Sequence, residues 1–230
     1  MMLEKPIVDI KIEEDKNLGA GRWLTLHELT FKDPSGQERR WELCRRARRT
    51  PIPANSTTSV DAVDVIAVIK GPLEETASKS TPTHVVLVVQ YRPAVKAFTV
   101  EFPSGLIDPN EEPAEAALRE LAEETGFSQK AGHKIQVLKT SVPIAYEPGL
   151  TDSCSCAVLI EIEMDEKELF NSDSRQAKPE DDEWSLQVIM MPLKDLLQGL
   201  QDLQTSAGGP SKLVLDSRLY LWAIGREMSA

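Results

Sequence analysis

Apolar and polar positions divide this chain into stretches of two different periods. Residues 60–70 and 84–91, the latter with V-V-L-V-V at its centre, are apolar without alternation, as strands covered on both faces are. Residues 97–102, 134–142, 155–164 and 184–191 are rich in β-branched residues and predict further strands. Nearer the start, residues 22–31 alternate, Asp33-Pro34-Ser35-Gly36 signals a turn, and residues 38–47 resume the alternation. That pattern predicts a hairpin. One short strand is expected at residues 7–12 of an otherwise charged arm. Two later stretches follow a 3.6-residue period. Leu193, Leu196, Leu197, Leu200 and Leu203 form one stripe in residues 192–204, which Gly208-Gly209-Pro210 ends. In residues 216–228, Leu219, Trp222 and Ala223 point inward. Strands outnumber helices and mix with them, which predicts an α/β fold with a mixed sheet between helices.

A third helix is predicted from Pro113, which suits a first helical position, to Thr125, with Gly126 as its stop. Asn110, Glu111 and Glu112 precede it, where anions are favoured. Ala114, Ala117, Leu118, Leu121 and Thr125 form the expected buried stripe. Glu120, Glu123 and Glu124 fall on the other side at i, i+3 and i+4. Like charges at that spacing repel by roughly 0.2–0.5 kcal/mol per pair, and they stand where the helix dipole disfavours them. A solvated acidic face is one reading of this cluster. The other is a site for a hard divalent cation such as Mg²⁺.

Composition narrows the partners. The chain has 230 residues, 37 acidic and 26 basic, with a formal net charge of -11. Nucleic acid and anionic membrane are therefore not expected as partners. No apolar leader region and no run of about 18 apolar residues is present. Cys44, Cys154 and Cys156 show no C-x-x-C spacing, so no zinc site is expected, and a reducing cytoplasmic or nuclear setting fits. Residues 50–59 read as a linker, which places a boundary between a small domain at 1–55 and a larger one at 56–230.

The full pattern around the acids is G-x5-E-x7-R-E-U-x-E-E-x-G-U, with U apolar. It is met at Gly105, Glu111, Arg119, Glu120, Leu121, Glu123, Glu124, Gly126 and Phe127. This resembles the Nudix box, the signature of hydrolases acting on nucleoside diphosphates linked to another group. The resemblance extends over about four-fifths of the chain, through G-R-W, R-W-E-L-C-R-R, V-Q-Y-R-P, E-F-P-S-G-L-I-D and E-P-G-L-T-D. The chain is thus similar to the ADP-sugar (ADP-ribose) pyrophosphatases of that superfamily. The resemblance implies the Nudix fold with a small N-terminal antiparallel β domain. It implies a Mg²⁺-dependent enzyme, Mn²⁺ being an alternative, that splits ADP-ribose into AMP and ribose 5-phosphate. It also implies a homodimer that exchanges the N-terminal domain.

The same resemblance suggests roles for single residues. Ser104, through its carbonyl, Glu120 and Glu124 would bind metal, with Glu123 and Arg119 beside them. Trp23 and Trp41 would sandwich the adenine, with the Glu42 backbone reading its edge; packing in a core is the alternative for both rings. Arg46 and Arg92 would hold phosphate and terminal ribose, or else end their strands in solvent. Leu106 and Ser153 would line the substrate. Glu183 would place or deprotonate water, a role open also to Asp181 or Asp182. Two positions depart from the family: Ser104 stands where Ala is frequent, and Glu147 where animal forms often have Asp. A UDP-sugar, coenzyme A or a dinucleoside polyphosphate is an alternative substrate, and a binding module without turnover is an alternative function.

Overall fold

The computed structural model describes residues 7–46, 60–71, 82–164, 177 and 184–228. The expected linker at 50–59 lies outside them, as do residues 72–81, 165–176 and 178–183. The chain divides into two compact units, Met1–Asp61 with Pro143–Ser155, and Ala62–Val142 with Cys156–Ala230.

The first unit is an antiparallel meander of β1 (Ile12–Ala20), β2 (Leu24–Lys32) and β3 (Glu38–Arg46). The predicted hairpin is β2–β3, in step from Leu24 opposite Arg46 to Lys32 opposite Glu38. Asp33 closes its turn, accepting from the Ser35 N–H at 2.9 Å and the Gln37 N–H at 3.1 Å. The Ser35 hydroxyl and Arg39 add to this, and the Asp33 pKa falls to about 2. The expected strand at 7–12 is displaced: β1 begins at Ile12, and its residues E-E-D-K-N are polar. An edge strand is set by the partner it pairs with rather than by its own apolar pattern. All nine residues of β1 are exposed. The segment Pro143–Ser155 groups with these strands. The Cys44 N–H donates to Leu150 O at 2.8 Å, and Arg45 donates to Asp152 at 2.6 Å and Asp15 at 2.7 Å. A two-residue strand within it, β9 (Ile144–Ala145), pairs with Cys154 and Ser155.

The second unit is built on a mixed sheet. Its strands are β4 (Ala62–Lys70), β5 (Pro82–Arg92), β6 (Ala97–Glu101), β7 (Ser104–Leu106), β8 (Lys134–Thr140), β10 (Cys154–Glu163), β11 (Gln187–Pro192) and β12 (Leu213–Leu215). The order is β12-β6-β5-β4-β10-β8, with β11 on β5 and β7 on β4. The β12–β6 pair is parallel and the other registered pairs are antiparallel. Three helices are described: α1 (Pro113–Thr125), α2 (Leu196–Ser206) and α3 (Ser217–Glu227).

The unalternating runs are explained by two cores, one on each face of this sheet. Val63, Val65, Ala67 and Ile69 of β4 and Val86 of β5 pack with Ala116, Ala117 and Leu121 of α1. Val68 of β4 and Val85 and Leu87 of β5 pack instead with Leu196 and Leu200 of α2 and Leu219 and Ala223 of α3. Successive residues of one strand serve opposite cores, which is why these runs do not alternate.

Candidate functional site

The acidic helix forms where its caps predict. Glu112 is extended, Pro113 opens α1, and the Glu112 N–H donates to Glu115 Oε2 at 3.2 Å. Gly126, at φ 78°, ends the helix with its N–H on Ala122 O. The predicted face differs in one respect. Glu120 and Glu124 are buried together with Ala116, Ala117, Leu121 and Thr125, while Ala114 and Leu118 are only half-buried. The reason is that α1 packs on β7 as well as on β4, so a second flank is covered.

The repulsion expected among the acids is offset by Arg119. Its Nε and Nη2 grip Glu111 at 2.8 Å each, and its Nη1 donates to Glu120 at 2.7 Å and Glu123 at 3.1 Å. Nη2 also donates to Leu106 O at 2.8 Å, which ties β7 to the helix. The Arg119 bonds hold Glu111 below the usual carboxylate range, and Glu111, ahead of Glu120 and Glu123, raises Arg119 against the effect of burial. Glu124 is held from the strand side, accepting from the Ser104 N–H at 3.0 Å. Gly105 lies against the Glu120 carboxylate, and a Cβ built there would collide with it.

Among the described residues no group of three or more His, Cys, Asp or Glu side chains is set to hold a metal ion. The donors present still suit a hard divalent cation. Glu120 and Glu124 offer carboxylate oxygens, Gly105 keeps the Glu120 carboxylate clear of a side chain, and no soft ligand stands among them. Glu123 is engaged with Arg119.

Arg92 stands at the exposed end of β5 but is paired there. Its Nε and Nη2 form a fork on the buried Glu101 at 2.9 and 2.6 Å, and Thr99 Oγ1 also bonds Glu101. That fork, ahead of the nearby Glu124 charge and against burial, raises the Arg92 pKa. In the first unit both tryptophans are surface residues, Trp23 at 63% and Trp41 at 52% exposure, so neither packs in a core of this chain. Arg22 covers the Trp23 ring at 4.6 Å. Trp41 stands opposite Leu29, Glu42 opposite Glu28 and Arg46 opposite Leu24; Glu42 and Arg46 are exposed. Ser153 is buried, and its carbonyl accepts from the Tyr146 N–H at 3.3 Å. Glu183 and its neighbours Glu180, Asp181 and Asp182 lie outside the described residues.

Sequence reasoning passed over Asp64 and Arg218, whose ion pair lies beside Ser104 in the strand register. A lone Asp inside the apolar run A-V-D-V-I-A-V was the available signal. A cavity of about 360 Å³ is bordered by Lys70, His133, Lys134, Glu161 and Glu163 among others. None of the predicted site residues lines it, and the chemistry of the acids on α1 is the better guide.

Comparison with known proteins gives the family. The NUDIX domain family model matches residues 72–209. An ADP-sugar pyrophosphatase of Mus musculus is 31% identical over 213 residues, covering 93% of this chain and 85% of its own. An ADP-ribose pyrophosphatase of Saccharomyces cerevisiae (strain ATCC 204508 / S288c) is 34% identical over 143 residues, 62% of this chain and 54% of its own. A crystal structure of an ADP compounds hydrolase superposes with a TM-score of 0.56 at 19% identity, covering 98% of this chain and 97% of the other, a likeness of fold.

Proposed function

Because this chain belongs to the Nudix hydrolase family, we propose that it hydrolyses the diphosphate of ADP-sugars, ADP-ribose first among them, to AMP and a sugar phosphate. One observation carries the reading. Glu120 and Glu124 are buried along one flank of α1, the first held by Arg119, the second by the Ser104 N–H, beneath a glycine that leaves room above the first. The names of the mouse and yeast relatives support the substrate class.

Glu120, Glu124 and the Ser104 carbonyl are the residues that would hold Mg²⁺, or Mn²⁺. Such an ion neutralises the oxygens that repel an incoming nucleophile. Arg119 keeps the Glu120 carboxylate in place and draws Glu123 alongside. Arg92, fixed on Glu101, and Arg46 bind phosphate and the terminal ribose. Leu106 and Ser153 line the substrate, and Trp23, Trp41 and the Glu42 backbone take the adenine. Glu183 places the water or removes its proton. The water oxygen bonds to phosphorus, the anhydride P–O bond breaks, and ribose 5-phosphate and AMP leave.

The tryptophans also support a homodimer with an exchanged N-terminal domain, residues 1–55, on a catalytic domain of residues 56–230. Trp41 faces Leu29, whereas Trp23 adjoins Leu24. The position opposite Trp41 lies six residues along the chain from Trp23, about 20 Å if extended, whereas two rings flanking one base stand about 7 Å apart. Two rings on one adenine would therefore come from two chains. Among the described residues no disulfide joins Cys44, Cys154 and Cys156, which suits the cytoplasm or nucleus.

The assay is direct. With Mg²⁺ and ADP-ribose the protein should release AMP, and faster than it cleaves a UDP-sugar, coenzyme A or a dinucleoside polyphosphate. Glu120→Gln and Glu124→Gln should each remove most turnover while circular dichroism is unchanged. Absence of AMP with active preparations, or equal rates in either variant, would refute the reading.

A further inference from the structure

The N-terminal turn of α3 carries an ion-pair arrangement that the proposed chemistry does not use. Arg218 donates from Nε and Nη2 to the two oxygens of Asp216 at 2.9 and 2.8 Å. Asp216 is also the cap of α3, accepting from the Arg218 N–H at 2.8 Å and the Leu219 N–H at 3.4 Å. One carboxylate thus fixes both the backbone and the guanidinium plane of the same residue. The remaining nitrogen, Nη1, donates to Asp64 Oδ1 at 2.5 Å. Asp64 is 5% exposed and is the third of the nine residues of β4. A carboxylate so buried needs a cation that cannot swing away, and a forked arginine supplies one.

What Asp64 faces gives the arrangement its meaning. Across the β4–β7 pair it is the register partner of Ser104, with Val63 opposite Gly105 and Ala62 opposite Leu106. β7 has only these three residues. Its place rests on this short ladder, on the Val65 N–H to Pro103 O bond at 2.8 Å, and on Arg119 at Leu106. Ser104 then donates its N–H to Glu124 at 3.0 Å. A continuous path therefore leads from α3 through Arg218, Asp64 and Ser104 to Glu124, and joins residues 154 positions apart in the chain. Arg218 also lowers the pKa of Arg92, on which Glu124 acts in the opposite sense, so both charges reach the same guanidinium.

We infer that Arg218, acting through Asp64, is a positioning residue for the cation site: it holds β7 where the Ser104 carbonyl and the Glu124 carboxylate can serve one ion. This rests on the proposed assignment of Ser104, Glu120 and Glu124 to the metal. Groups that orient ligands without touching the ion typically contribute about 10–100-fold to metal affinity.

The test uses the full-length protein and reads metal binding directly, from the electron paramagnetic resonance signal of free Mn²⁺ without substrate. Arg218→Gln should weaken Mn²⁺ binding about tenfold or more. In steady-state assays it should raise the Mg²⁺ concentration for half-activation, with kcat largely recovered at saturating Mg²⁺. Arg218→Lys keeps the charge on Asp64 but loses the fork. It should fold, and weaken Mn²⁺ binding by an intermediate factor, about threefold. Leu200→Val, a core change in α2 remote from the ladder, should lower the melting temperature without moving Mn²⁺ affinity. If Arg218→Gln does not fold, Arg218→Lys decides. Unchanged Mn²⁺ affinity in a folded Arg218 variant, or an equal loss in Leu200→Val, would overturn the inference while leaving the metal assignment standing. If wild type binds Mn²⁺ no more tightly than Glu120→Gln and Glu124→Gln do, the metal assignment itself falls.

Discussion

Gly105 is the residue on which the site depends most sharply. An added methyl group there would overlap the Glu120 carboxylate, which would have to shift from its place on Arg119. Gly105→Ala should therefore cost about tenfold or more in kcat/KM while leaving the secondary structure intact. Circular dichroism with initial rates at several Mg²⁺ concentrations checks this; a fully active Gly105→Ala would show that the Glu120 carboxylate can sit elsewhere without loss. The glycine, the acids and Arg119 were all legible as a spaced motif. Their burial was not, since a helix wheel assumes one covered face and α1 has two. The fork of Arg92 on Glu101 was not legible either, because it joins neighbouring strands whose register only the folded sheet defines.

For α1 as an element, the brace from Glu111 to Arg119 holds the loop ahead of the helix to its middle turn. Arg119 depresses the Glu111 pKa from 4.5, so folding is favoured by this pair above that pH, and the contribution is lost as pH falls through the lowered value. Partial exposure limits it to about 1 kcal/mol. Glu111→Gln should thus be less stable than wild type at pH 7, and the gap should close in acid. Urea denaturation at neutral pH and below pH 4 measures both; a gap independent of pH would mean that packing, not charge, is responsible. Elements of this length were readable from caps and periods: α1, α2, α3 and the long strands other than β1 stand near their predicted places. β7, β9 and β12 have two or three residues each, too few to show a period, and they exist because a longer neighbour offers hydrogen bonds.

On the scale of the whole molecule, the proposed dimer makes a prediction no single chain can satisfy. Trp23→Ala and Trp41→Ala should each raise KM for ADP-ribose, since stacking is worth roughly 1–3 kcal/mol per base. Mixing the two variants under exchange should restore about a quarter of the sites to full affinity, by the symmetry of a two-chain assembly. Exchange without recovery, or a monomer by light scattering, would refute the shared site. The two-faced sheet has a further consequence. A strand apolar on both sides has no polar face to mark its register: after a slide of one residue Val85 and Leu87 would change places with Val86 and Val88, and apolar side chains would still face both cores. What forbids the slide lies at one end. It would part Arg92 from Glu101 and the Thr99 hydroxyl from Gln90 O, leaving a carboxylate buried without its cation. The charged groups gathered for chemistry are thus also the pins that keep an otherwise slippery set of strands in step.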